Sequence, residues 1–235
     1  MKILLIGYGK MGRIIEAIAL ERGHIIAGKV DNQEELSQFN GTADVAIEFS
    51  QPDAVIDNLK YCFEKKIPVA CGTTGWLERK SEMEALCKQK QSTFFYASNY
   101  SLGVNLFFKL NEYLAKLMNG RAGYEVSVDE THHTQKKDAP SGTAISIAEG
   151  IIKNYPSKKR WTLNATGNTD ELLIRSFRVD PAPGTLSVQY TSTVDDIFIQ
   201  HKAHSRQGFA LGAVLVAEWL ADKSGVYSMD DFLKF

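Results

Sequence analysis

Lys2-Ile3-Leu4-Leu5-Ile6-Gly7-Tyr8-Gly9-Lys10-Met11-Gly12 is the stretch that decides the fold of this chain. Residues 2–6 read as one apolar run, as expected of a strand buried on both faces in a parallel sheet. Gly-x-Gly-x-x-Gly follows at once, and then a helical pattern carried by Ile14, Ile15, Ala17, Ile18 and Ala19. Strand, glycine turn and helix in that order describe a dinucleotide-binding unit. The glycines permit the tight turn, the close approach of a pyrophosphate and the helix–strand contact. Asp31 ends a second candidate strand, His24–Val30, where a carboxylate can accept hydrogen bonds from an adenosine ribose; the bland alternative is a turn residue. Asn32 follows and no arginine is near, so NADH is favoured over NADPH, with use of both left open.

The same rhythm continues outward. Residues 43–49 read as a third strand, and Pro52-Asp53 opens a helix running to about Lys66. Residues 69–71 form a fourth strand, residues 78–90 a helix and residues 93–97 a fifth strand. Residues 32–42 are polar and read as a short connection. Alternating strands and helices of this kind make βαβ units and a parallel sheet. Beyond residue 102 the pattern changes. A long amphipathic helix is expected over 103–119, a strand over 125–130, a helix from Ser141 to about Asn154, and strands over 171–178, 185–193 and 195–203. The expected architecture is α/β: a Rossmann-type dinucleotide domain over 1–102, then an α+β domain with a mixed sheet over 103–207. A last apolar helix within 208–235 packs back on the first domain.

Glu130-Thr131-His132-His133-Thr134-Gln135-Lys136-Lys137-Asp138-Ala139-Pro140-Ser141-Gly142-Thr143 concentrates the chemistry. Its titratable groups stand just ahead of an expected helix start. Such a start offers unpaired N–H groups and partial positive charge, which suits a carboxylate or phosphate. Histidine titrates near neutral pH, and lysine adds charge and a donor. The segment therefore suits an anionic substrate that also needs a proton. Lys137 reads as solvated charge, and Asp138 as a residue that caps the helix or orients Lys136.

The 235 residues carry a net charge of −1, which gives no electrostatic case for nucleic acid, and no apolar run approaches the length of a membrane span. The N-terminal run lacks a cleavage-site pattern and reads as a first strand rather than a leader. Cys62, Cys71 and Cys87 have no metal-ligand spacing, which fits a reducing cytoplasm. No metal is expected.

The chain resembles the 4-hydroxy-tetrahydrodipicolinate (dihydrodipicolinate) reductases over nearly its whole length. The resemblance rests on Glu130-x-His132-His133-x-x-Lys136-x-Asp138-x-Pro140-Ser141-Gly142-Thr143-Ala144, Gly72-Thr73-Thr74-Gly75, Asn99-x-Ser101-x-Gly103-Val104-Asn105 and Ser205-Arg206-x-x-Phe209-Ala210-x-Gly212-Ala213. It implies a two-domain enzyme, usually tetrameric, of lysine and diaminopimelate synthesis. Such an enzyme transfers hydride from NADH or NADPH to C4 of a cyclic imine dicarboxylate and releases water. By position, His132 is the expected proton donor or acceptor and Lys136 a second donor. His133 touches substrate, and Ser141, Gly142 and Thr143 hold a carboxylate. The expected cofactor residues are Gly7, Tyr8, Gly9, Lys10, Met11, Gly12, Asp31, Gly72, Thr73, Thr74, Ala97, Ser98, Asn99 and Tyr100.

The glycine turn is one residue shorter than in many members of that family. Asp180 and Leu186 stand where glycine and histidine are usual, which puts residues 179–183 in doubt as carriers of family function. Two other readings compete: a different two-domain NAD(P)-dependent dehydrogenase of a small acid, and an NAD(H) sensor without turnover. The His/Lys-to-Ser-Gly-Thr spacing argues against the first, and intact His132 and Lys136 against the second.

Overall fold

Apolar runs bounded by turns become parallel strands in the computed structural model, which describes residues 1–165 and 168–235. The chain divides into two units, Met1–Leu102 with Gln207–Phe235, and Gly103–Arg206. In the first, β1 (Lys2–Ile6), α1 (Lys10–Glu21), β2 (Ile25–Val30), α2 (Gln33–Gln38), β3 (Val45–Glu48), α3 (Val55–Glu64), β4 (Val69–Cys71), α4 (Lys80–Gln89) and β5 (Thr93–Tyr96) alternate as expected. A 3-10 turn, Leu77–Arg79, leads into α4.

α2 corrects the expectation of a plain connection over 32–42. Asn32 caps it by accepting the Glu35 N–H, Glu35 in turn accepts the Asp31 N–H, and Leu36 is buried as its single anchor. An Asn-x-x-Glu start was present in the sequence; one apolar residue was too weak a periodic signal. The expected helix at Pro52 begins at Val55, after a turn.

In the second unit, α5 (Leu102–Met118) precedes β6 (Glu125–His132), α6 (Gly142–Asn154), β7 (Arg160–Leu163), β8 (Glu171–Arg178), β9 (Thr185–Thr191) and β10 (Asp196–Lys202). The sheet order is β10-β9-β6-β8-β7. β10, β9 and β6 pair antiparallel; β6, β8 and β7 pair parallel. The sheet is therefore mixed. Its apolar face, including Val126, Val128, Leu172, Ile174 and Val188, packs with Phe107 and Ala115 of α5 and Ile147 and Ile151 of α6. β7 was not anticipated: four residues with polar ends carry little pattern of their own, and pairing with β8 defines them. β6 runs two residues past its expected end and carries His132 on the strand.

The chain then returns to the first unit with α7 (Gln207–Leu220), β11 (Gly225–Tyr227) and α8 (Met229–Leu233). β11 completes an all-parallel sheet of order β11-β5-β4-β3-β1-β2. Ile3, Leu5, Val45 and Ile47 face α1 and α7, whereas Leu4, Ile6, Ala46 and Val69 face the core that includes Leu36, Leu59 and Met83. Burial on both faces explains the absence of alternation in β1.

Candidate active site

Register brings the expected cofactor residues to one edge of the parallel sheet. Ile6 pairs with Val30 and Glu48, Glu48 with Cys71, and Cys71 with Tyr96. The strand ends are thus level, and Gly7, Asp31, Phe49, Gly72 and Ala97 all emerge side by side. β1 lies between β2 and β3, so the winding reverses there, the place where open α/β sheets hold ligands.

The glycine turn is shaped by close approach. Gly7 has φ of +91°, and a Cβ there would stand 2.1 Å from the Phe49 carbonyl oxygen; a Cβ on Gly12 would stand 2.3 Å from that of Gly7. Gly9 is the N-cap of α1, has no side-chain cap and borders open space. The helix start is therefore an uncovered cradle of N–H groups that fits a pyrophosphate. The Tyr8 N–H donates to the Asp31 carboxylate, and the Tyr8 hydroxyl to Glu16, which also pairs with Lys29.

The other two turns are braced from below. Thr73 Oγ1 accepts the Ser50 N–H (2.8 Å), and the Thr73 carbonyl accepts the Trp76 indole N–H (2.7 Å). Fully buried Glu48 accepts from Asn58 (3.1 Å), the Ser50 hydroxyl and Cys71 Sγ (3.2 Å). Burial pushes the Cys71 thiol well up, with Glu48 adding to the effect. Tyr100 is a correction among the cofactor residues. Its side chain lies in the core and its hydroxyl donates to the Cys71 carbonyl (2.9 Å), so the ring braces β4 rather than facing a ligand.

In the second unit, alternation along β6 places Val126, Val128, Glu130 and His132 on one face. Glu130 is fully buried there. It accepts the Ser141 N–H (3.1 and 3.2 Å to its two oxygens) and the Ser176 hydroxyl (2.7 Å), and lies 3.5 Å from Arg178 Nη2. His132 Nδ1 is 3.4 Å from Glu130 Oε2. Burial alone would raise the Glu130 carboxyl, but the Ser141 and Ser176 hydrogen bonds and His132 bring it below the usual range. Burial lowers the His132 imidazole, Lys136 and Arg178 push the same way, and Glu130 opposes them.

Lys136 Nζ donates to both oxygens of Asp138 at 2.8 Å. Asp138 thus orients Lys136 and does not cap α6. The cap is Ser141, whose hydroxyl accepts the Ala144 N–H (3.2 Å). Among the described residues the N–H groups of Gly142 and Thr143 have no acceptor, and Gly142 borders open space. The expected carboxylate grip therefore narrows to those two N–H groups, with Ser141 as the residue that aims them. Arg178 ties the loop down by donating to the carbonyls of Lys136 (3.2 Å) and Asp138 (2.6 Å). Asp180 accepts the N–H (3.0 Å) and the hydroxyl of Thr134. It thereby anchors the residue after His133.

Glu130, Ser176, Arg178 and Asp180 were given no role in the sequence. Glu130 was detectable, since it sits two residues before His132 on an alternating strand. Ser176, Arg178 and Asp180 join the cluster through pairing of β6 with β8, where His132 faces Arg178 and Glu130 faces Ser176. No local pattern carries that. Among the described residues no group of three or more His, Cys, Asp or Glu is placed to hold a metal, and no helix is long and apolar enough to cross a membrane.

Two family models match the chain: "Dihydrodipicolinate reductase, N-terminus" over residues 1–100 and "Dihydrodipicolinate reductase, C-terminus" over 103–233. A 4-hydroxy-tetrahydrodipicolinate reductase of Christiangramia forsetii is 48% identical over 234 residues, covering 99% of this chain and 98% of that one. One of Alkaliphilus oremlandii is 34% identical over 240 residues, covering 99% and 98%. A dipicolinate-bound dihydrodipicolinate reductase from Paenisporosarcina sp. TG-14 superposes with a TM-score of 0.78 at 20% identity, covering 97% of both chains, a likeness of fold.

Proposed function

This chain belongs to the dihydrodipicolinate reductase family, and from that premise we propose how its residues divide the reaction. It is an NAD(P)H-dependent oxidoreductase of lysine and diaminopimelate synthesis. It reduces (2S,4S)-4-hydroxy-2,3,4,5-tetrahydrodipicolinate to (S)-2,3,4,5-tetrahydrodipicolinate with release of water. The observation that carries our assignment of roles is the pairing of buried Glu130 with His132 beside the uncovered N–H groups of Gly142 and Thr143.

Gly7 to Gly12 hold the pyrophosphate of the cofactor, with Asp31 for the ribose. Gly72, Thr73, Thr74, Ala97, Ser98 and Asn99 line the sheet edge on the nicotinamide side. Bound NADH or NADPH supplies the hydride. His132 gives a proton to the electron density that the hydride leaves on the conjugated substrate. Lys136, held by Asp138, supplies positive charge and a second donor. The Gly142 and Thr143 N–H groups grip a substrate carboxylate, and His133 contacts the ring. Asp31 favours NADH, because a carboxylate repels the 2′-phosphate of NADPH.

We also propose a cytoplasmic homotetramer. In support, Phe177 and Phe198 are exposed on the second unit's sheet, and register puts both on the face away from α5 and α6.

The test supplies the condensation product of pyruvate and aspartate semialdehyde with NADH or NADPH and follows loss of reduced-cofactor absorbance. Oxidation dependent on that substrate is expected, faster with NADH. No oxidation with either cofactor by folded protein overturns the reading. Asp31→Ala is expected to weaken NADH more than NADPH; the opposite ranking overturns the cofactor preference.

A further inference from the structure

Glu130 is a carboxylate with no exposed surface, placed on the core face of β6. A buried charge on an apolar face is costly unless it is held by donors and has a partner. Three donors hold it: the Ser141 N–H, the Ser176 hydroxyl and, at 3.5 Å, Arg178 Nη2. They come from the cap of α6 and from β8, so the carboxylate is fixed from two sides. Its Oε2 faces His132 Nδ1 at 3.4 Å. That nitrogen is itself buried and lacks an aligned hydrogen-bond partner among the described residues. The other ring nitrogen is turned toward residue 184, where a Cβ would stand 3.2 Å from Nε2; glycine leaves that approach clear.

We propose that Glu130 is a positioning residue for His132, holding a proton on Nδ1 so that Nε2 is the atom that exchanges a proton with substrate. The proposal rests on the reading of His132 as the proton donor. In the step, the N–H bond at Nε2 breaks, its proton goes to the substrate and the electron pair stays on Nε2. The ring is left neutral with Nδ1–H still facing Glu130. A negative charge beside Nδ1 favours the charged imidazolium before transfer. The charged groups facing the ring are Glu130 from β6, Lys136 and Asp138 from the following loop and Arg178 from β8. Glu130 and Asp138 favour the proton; Lys136 and Arg178 oppose it.

The test compares full-length wild type, Glu130→Gln, Glu130→Asp and His132→Gln. Gln keeps one acceptor oxygen for the Ser141 N–H and the Ser176 hydroxyl and puts a neutral amide in place of the charged oxygen facing His132. Loss of that charge makes the imidazolium harder to form. The alkaline limb of kcat/KM, where the donor loses its proton, is therefore expected to move to lower pH by about one to three units. The His132 ring resonances, assigned by their absence in His132→Gln, are expected to titrate lower by the same amount. Glu130→Asp keeps the charge but withdraws it by one methylene, so its limb is expected between the two. If Glu130→Gln does not fold, the Asp variant decides: a moved limb supports the pairing and an unmoved one overturns it. Reduced turnover with an unmoved limb and unmoved resonances in Glu130→Gln makes Glu130 merely structural and overturns the proposal. Wild-type turnover in His132→Gln instead overturns the reading of His132 itself, whatever the resonances do.

Discussion

At His132 the surroundings pull in opposite directions. Burial, Lys136 and Arg178 disfavour its charge, while Glu130 favours it. The balance lies below the ordinary histidine value, and this has a consequence for stability. Between the lowered folded value and about 6.5, the unfolded chain holds a proton that the folded chain does not. Stability contributed by neutral His132 is present above the unfolded value and is lost as pH falls through the folded one. His132→Gln is expected to flatten that part of the dependence of melting temperature on pH, measured by calorimetry; an unchanged curve contradicts it. The same variant is expected to lower turnover by about 10²–10⁴-fold with NADH binding intact, as measured by steady-state kinetics and fluorescence titration. At this scale the sequence displayed His132, His133 and Lys136, because titratable side chains crowded before a helix start stand out. Glu130 was marked only by its alternation with His132 along β6, and a carboxylate near a strand end otherwise resembles a solvated exit. The sequence also misdirected Tyr100, whose ring follows a strand end as a ligand-contacting residue would but turns into the core.

Elements were legible where their periodicity was long and obscure where neighbours define them. α1, α5, α6 and α7 each carry a sustained apolar stripe. α2 rests on Leu36 and a cap, and β7 and β11 on pairing with β8 and β5. α7 shows how small residues set packing. A Cβ on Gly212 would stand 1.8 Å from the Tyr100 carbonyl oxygen, a backbone atom that cannot rotate away. Gly212→Ala is expected to destabilise the protein by about 1–3 kcal/mol or more, measured by denaturant unfolding; a loss below about 0.5 kcal/mol contradicts the packing account. α7 is also clamped to the turn between α1 and β2 through Glu218, which accepts from Arg22 (2.7 and 2.8 Å) and lies 2.7 Å from His24. Arg22, followed by His24, holds the Glu218 carboxyl below the usual range against the opposing effect of burial. The stability it contributes is present above the unfolded carboxyl value and lost as pH falls through the folded one. Glu218→Gln is expected to cost at most about 1 kcal/mol near neutrality and nothing in strong acid. Equal cost at both pH values contradicts the ion-pair account.

At the scale of the whole chain, the first unit is discontinuous in sequence, with Gln207–Phe235 belonging to it. Ala213, Val214, Val216, Ala217 and Leu220 of α7 are fully buried in the core beneath Ile3, Leu5 and Phe95. A chain ending at residue 206 is therefore expected to lose NADH binding and cooperative unfolding of the first unit; retained binding contradicts it. The parallel sheet was legible from strand–helix rhythm and the glycine turn. The level alignment of its strand ends, which gathers Gly7, Asp31, Gly72 and Ala97, comes from pairing distant in sequence. The central claim is that this enzyme moves a hydride from reduced nicotinamide to C4 of the cyclic dicarboxylate. Its most direct test uses cofactor stereospecifically deuterated at the transferring position, with the condensation product of pyruvate and aspartate semialdehyde, and mass spectrometry of the product. The account predicts one deuterium in the tetrahydrodipicolinate, located at C4. Cofactor oxidation with no label in that product, or no oxidation with either labelled face, would contradict it.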